Sequence, residues 1–140
     1  MIAHWPARIR DKGAITNQVA HVMNVMPTVL EIARADYPSA APSPEGQSLL
    51  PAFLGNPTGP RRLFFEHERN AALREGDWKL VGKGALAKDG TRPKVKWELY
   101  NLAADPNEQN NLAAAEPDRV NLMAEVLLAE ARRTLALPSP

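Results

Sequence analysis

The run Glu66-His67-Glu68-Arg69-Asn70 puts an imidazole, a guanidinium, a carboxamide and two carboxylates into five consecutive positions. His67 can donate or accept a proton near neutral pH, Asn70 can do both as a hydrogen-bonding group, and Arg69 carries a permanent positive charge. Together they could contact an anionic substrate. The same residues also suit a hairpin turn in which Glu66 or Glu68 fixes His67 and water covers Arg69, and the sequence leaves both readings open. The rest of the reactive side chains are scattered. His4, His21 and His67 show no H-x-x-x-H or H-x-E spacing, and the aspartates (Asp11, Asp36, Asp77, Asp89, Asp105, Asp118) are never adjacent. Without Cys there is no thiol nucleophile, no disulfide and no Cys-bound zinc. Neither G-x-S-x-G, nor a Walker loop, nor a Rossmann glycine pattern occurs. No complete catalytic site is written in these residues.

Composition narrows the setting. A chain of 140 residues is expected to form one domain with a core of its own. A net charge of +1 without a basic stripe weighs against a nucleic-acid partner. No apolar run approaches the roughly 18–20 residues that cross a bilayer, so no membrane span is expected. The start, MIAHWPARIRDKG, has no apolar core of a signal peptide and reads like the middle of a domain.

The elements that must hold these residues come in two textures. Ile2 to Trp5 and Gln18 to Val22 are predicted to be short extended pieces. Asn24 is predicted to cap a helix ending near Ala35, with Pro27 in its first turn and Val25, Met26, Val29, Leu30, Ile32 and Ala33 on its apolar face. Prolines 38, 42 and 44 mark a surface loop, and Ser48 to Leu54 a capped helical turn. From Leu63 the pattern becomes strand-like: Leu63–Glu66, Ala71–Arg74, Trp78–Val81 and Val95–Leu102. Glu68-Arg69-Asn70 and Glu75-Gly76-Asp77 serve as turns, and 82–94 forms a longer, mobile loop. Phe64, Phe65, Trp78, Leu80 and Val81 are expected to pack, as are Trp97 and Tyr100, with His4 and His21 in structural roles. Arg74 and Lys79 are expected to pair with Glu75, Asp77 or Glu98. Asp105-Pro106-Asn107-Glu108 has the form of a capping box and predicts a short helix. A longer helix is expected from Pro117 to about Leu135, with Val120, Met123, Ala124, Leu127, Ala131 and Leu135 on one stripe; a frayed tail follows. The fold class is α+β: a small antiparallel sheet of about four strands against a C-terminal amphipathic helix, preceded by a helix-loop segment.

Seven pieces in order carry a family resemblance. They are AHWPARI (3–9), HVMNVMPTVL (21–30), EGQSLL (45–50), FEH (65–67), ALREGDWKLV (72–81), WELYNL (97–102) and DPNE (105–108). Together they resemble the C-terminal region of an arylsulfatase-type sulfatase of the alkaline phosphatase superfamily. Asn24 departs from the Asp usual before the family's P-T helix; as an N-cap either would serve.

The resemblance implies a division into residues 1–60, the tail end of a catalytic α/β domain with a Pro-rich connector, and 61–140, a C-terminal subdomain. It implies a missing catalytic domain of the same polypeptide as partner and a sulfate ester as substrate. Such enzymes use a formylglycine made within C/S-x-P-x-R and a divalent cation, calcium, both from the missing N-terminal part; this chain would supply no cofactor ligand. His67, Asn70 and Arg69 would then stand at the substrate entrance. Periplasmic or secreted residence is likewise only what the resemblance suggests. Alone, the chain is expected to be inactive. The rival expectation is a binding module that self-associates through the face a catalytic domain would have covered.

Overall fold

The computed structural model describes residues 1–86 and 95–134, and the chain divides into two compact units, Met1–Gly59 and Pro60–Pro140. The middle of the predicted loop (87–94) and the tail from residue 135 lie outside the described residues.

The first unit is mostly irregular chain around a 3-10 turn (Val22–Asn24), helix α1 (Val25–Ala33) and the short α2 (Leu50–Phe53). Neither extended piece becomes a strand. An extended segment needs a neighbour to take its backbone groups, and no described strand lies in this unit. Trp5 instead begins a turn, its carbonyl accepting from the N–H of Arg8 at 2.9 Å and of Ile9 at 2.8 Å. His4 is exposed rather than packed.

His21, not Asn24, makes the side-chain cap. Its Nδ1 accepts the Met23 N–H, and Asn24 Oδ1 accepts the His21 N–H at 2.7 Å, closing a reciprocal capping box. Asn24 is completely buried, and its Nδ2 donates to the Gln47 carbonyl at 2.6 Å. An Asp there would lose that donor, so the two residues are not equivalent at this position. One turn on, Thr28 Oγ1 donates to the Asn24 carbonyl at 2.7 Å and accepts the Leu49 N–H at 2.8 Å. Gly46 lies where a Cβ would run into the Met23 carbonyl. Asn24 and Thr28 therefore pin segment 46–49, while Val22, Val25, Met26, Val29 and Ile32 are 42–77% exposed. The apolar side of α1, expected to be its packed face, points outward because polar bonds occupy the inner one. Arg34 ends the helix in the left-handed region at φ 53°. At α2 the N-cap is Leu49, without a side-chain cap; Ser48 Oγ, one residue earlier, accepts the Leu50 N–H at 3.1 Å.

The second unit is an antiparallel meander, β1 (Arg62–His67), β2 (Asn70–Glu75), β3 (Trp78–Gly82) and β4 (Trp97–Asn101), in spatial order β1-β2-β3-β4, with α3 (Pro117–Arg133). Register places Phe64, Leu73, Leu80 and Leu99 side by side across all four strands. They pack with Val120, Met123, Leu127 and Ala131 of α3, the stripe the sequence predicts. Fully burying a Leu contributes roughly 1.5–3 kcal/mol, an upper estimate, so this row and stripe dominate the unit's stability. Pro117 opens α3, Asp118 lies in its first turn and Arg132 and Arg133 in its last, matching the helix dipole. The predicted α+β architecture is the one found.

The helix expected at Asp105 does not form. Asp105 Oδ2 accepts the Asn110 N–H at 2.7 Å, and Glu108 sits at φ 57°, a left-handed backbone that ends the turn before a helix can propagate. Phe65, expected to pack, is 39% exposed on the sheet face away from α3.

Candidate functional site

The candidate residues lie at one end of the sheet. His67 pairs with Asn70 across a two-residue turn, and both central residues, Glu68 (φ 50°) and Arg69 (φ 69°), are left-handed. Short hairpins want this backbone because its twist matches that of the strands, and Asn-Gly normally supplies it. A non-glycine residue there costs about 1 kcal/mol or more. Local bonds hold the turn: Glu66 Oε1 accepts the Arg69 N–H at 3.0 Å.

A second turn is tied to the first. Ala71 stands opposite Gly82, so the chain leaving β3 runs beside the β1–β2 turn. Asn70 Oδ1 accepts the Gly84 N–H at 3.0 Å, and the Arg69 carbonyl accepts the Leu86 N–H at 3.1 Å. Gly84 has φ 62°, and Ala85 and Leu86 anchor this second turn in the core. The result is an open concavity of about 560 Å³ lined by Glu66, Glu68, Arg69, Asn70, Lys83 and Gly84.

The structure thus brings Arg69 and Asn70 to one concave surface. His67 stands apart on the rim, its side chain 87% exposed and its Nε2 4.0 Å from Glu68 Oε1. Lys83 and Gly84 were not among the sequence candidates. The signal that could have found them is topological: in a meander, residues just after the third strand return to the first turn.

On the sheet face away from α3, Lys79 and Tyr100 are cross-strand partners. Lys79 Nζ meets Glu108 Oε1 at 2.6 Å, not Glu75, Asp77 or Glu98, because the turn after Asp105 brings Glu108 within reach. Arg74 Nε donates to the Gly76 carbonyl at 3.0 Å. The Tyr100 hydroxyl donates to Glu98 at 2.9 Å; burial, then this bond and the Glu98 charge, raise its pKa. The Asn110, Gln109 and Asn107 backbone bonds hold Asp105 below its ordinary 3.8. Trp78 packs against the core with the Arg119 guanidinium 4.0 Å over its ring. These contacts are structural.

Among the described residues, no three His, Asp or Glu side chains converge to hold a metal ion. None of the four serines opens an S-x-P-x-R run. The described residues do not fit a divalent cation, and the sequence holds no formylglycine motif. No described helix is long and apolar enough to cross a membrane.

No protein-family model matches the chain. It is 30% identical over 148 residues to an uncharacterised sulfatase of Schizosaccharomyces pombe, covering 99% of this chain and 26% of that protein. It is 25% identical over 136 residues to the N-acetylgalactosamine-6-O-sulfatase of Bacteroides thetaiotaomicron, covering 90% and 26%. A solved Bacteroides thetaiotaomicron chain, described with the metabolism of multiple glycosaminoglycans, superposes with a TM-score of 0.56 at 24% identity, over 76% of this chain and 24% of that one. That last likeness concerns the fold alone. The homologues of this chain are sulfatases. The chain spans about a quarter of the length of these curated relatives, and the match is consistent with a C-terminal sulfatase region, as the sequence motifs implied.

Proposed function

We propose that the chain works as the C-terminal part of a sulfuric ester hydrolase, bracing a catalytic α/β domain and lining the substrate entrance, without activity of its own. The observation that carries this reading is the match itself: nearly the whole chain aligns with sulfatases about four times longer, while C/S-x-P-x-R is absent from its sequence. Residues 1–60 would complete the catalytic domain and 61–140 form the C-terminal subdomain. The divalent cation and the formylglycine would come from the remaining polypeptide. In that setting His67, Asn70 and Arg69 face a sulfate ester, of which the hexosamine sulfate named for the Bacteroides relative is one example.

The test is the intact mass of the natural product, paired with an assay of the purified chain on an aryl sulfate with calcium. A product several times larger that contains C/S-x-P-x-R, with no hydrolysis by the 140-residue chain, is expected. Metal-dependent hydrolysis by this chain alone overturns the reading.

A second reading has its own observation, the exposed stripe of Val22, Val25, Val29 and Ile32. A natural product of 15.4 kDa that self-associates with concentration would favour a stand-alone module using that stripe.

A further inference from the structure

Among the described residues, the two cations that line the concavity have no charge partner. No ion pair or side-chain hydrogen bond engages Arg69 or Lys83 among the described residues, although Glu66 and Glu68 share the surface. Glu66 is occupied with the Arg69 backbone N–H, and among the described residues Glu68 makes its ion-pair contact with His67, at 4.0 Å. Asn70 spends its oxygen on Gly84, leaving Nδ2 as a donor. The turn presenting these groups is held at two left-handed non-glycine residues, and backbone cost of that kind concentrates at binding sites.

We propose that Arg69 and Lys83 form a subsite for one sulfate group of a sulfated saccharide, with Asn70 Nδ2 and the Glu68 carboxylate meeting adjacent sugar hydroxyls. Cations alone would suit any anion; carboxylate and carboxamide beside them suit a ligand that also donates and accepts through hydroxyls. Gly84 takes φ 62°, a left-handed backbone that glycine adopts without strain. This deepens the entrance reading above and rests on it for its biological setting. It assigns a place for a sulfate that is held rather than hydrolysed, since no nucleophile lies on this surface.

The test is an amide NMR titration of the 140-residue chain with glucose 6-sulfate, inorganic sulfate and glucose at constant ionic strength. Saturable shifts at Arg69, Asn70 and Gly84 are expected for glucose 6-sulfate, several-fold tighter than for inorganic sulfate and absent for glucose. Arg69→Gln and Lys83→Gln should each weaken binding about tenfold, whereas Arg133→Gln on α3 should not. Equal affinity for sulfate and the sulfated sugar removes the saccharide from the proposal; no saturable shift, or shifts unchanged in both variants, removes the site. The outcome is separable from that of the entrance reading, which a raised KM on His67→Ala in the longer enzyme would support, because His67 lies outside the concavity lining. Either can fail while the other holds.

Discussion

Asn70 Oδ1 takes the Gly84 N–H at 3.0 Å, so one carboxamide joins two turns that lie 14 residues apart in sequence. Asn70→Ala leaves that N–H to water and should loosen both turns together. Because the site is exposed, the cost is small, about 0.5–1.5 kcal/mol. Hydrogen exchange should quicken at Gly84 and Leu86 while the β3–β4 amides stay protected; unchanged exchange at Gly84 would show the bond to be dispensable.

The β1–β2 turn carries removable strain. Replacing Glu68-Arg69 by Asn-Gly supplies the residues that a left-handed two-residue turn prefers. The double variant should gain about 1–2 kcal/mol in urea unfolding and lose its response to sulfated sugar. A destabilised variant would contradict the strain.

Glu108 combines a favourable ion pair with an unfavourable backbone. Both Lys79 and Glu108 side chains are about one-third exposed or less, so the pair is worth about 1 kcal/mol after solvent screening. Glu108→Ala loses the pair and keeps φ near 57°. Glu108→Gly loses the pair but relaxes the backbone, so it should unfold close to wild type and above the Ala variant in midpoint.

Thr28 both donates to the Asn24 carbonyl and accepts from Leu49. Thr28→Val keeps the shape and strands a buried N–H, which costs about 1–3 kcal/mol. Thr28→Ser keeps the hydroxyl and should recover most of it. Limited proteolysis near residues 46–49 reads the difference.

Asp105 provides the pH dependence. Its pKa is lowered in the folded chain, chiefly by the Asn110 backbone N–H. The stability it confers is complete above the ordinary value of 3.8 and is lost as pH falls through the lower folded value. Asp105→Asn should flatten the acid limb of a stability–pH curve by lowering stability above it, neutral pH included. An identical acid limb would remove Asp105 as its source.

Much of the second unit was legible in the sequence. Trp78-Lys79-Leu80-Val81 and the three-and-four spacing of Val120, Met123, Leu127 and Ala131 each declare a period that only one packing satisfies. Asp105-Pro106-Asn107-Glu108 misled because the same residues that start a helix can close a turn on themselves, and the pull of Lys79 on Glu108 lies outside the local pattern. The face of α1 misled for a different reason. Apolar spacing reveals that a helix has two sides, but Asn24 and Thr28 set which side faces the unit, through bonds to Gln47 and Leu49. The candidate site was half visible: Arg69 and Asn70 stand in the turn the sequence marks, whereas Lys83 arrives through strand order.

Because each strand of the meander pairs with its neighbour in sequence, the sheet can assemble in the order of synthesis, with little entropy spent on long loops. Its cover comes last. A ribosome that has released β4 but not yet Pro117 holds a hydrogen-bonded sheet whose Leu73, Leu80 and Leu99 have no α3 to meet. The synthesis of α3 is therefore what turns four paired strands into a folded unit.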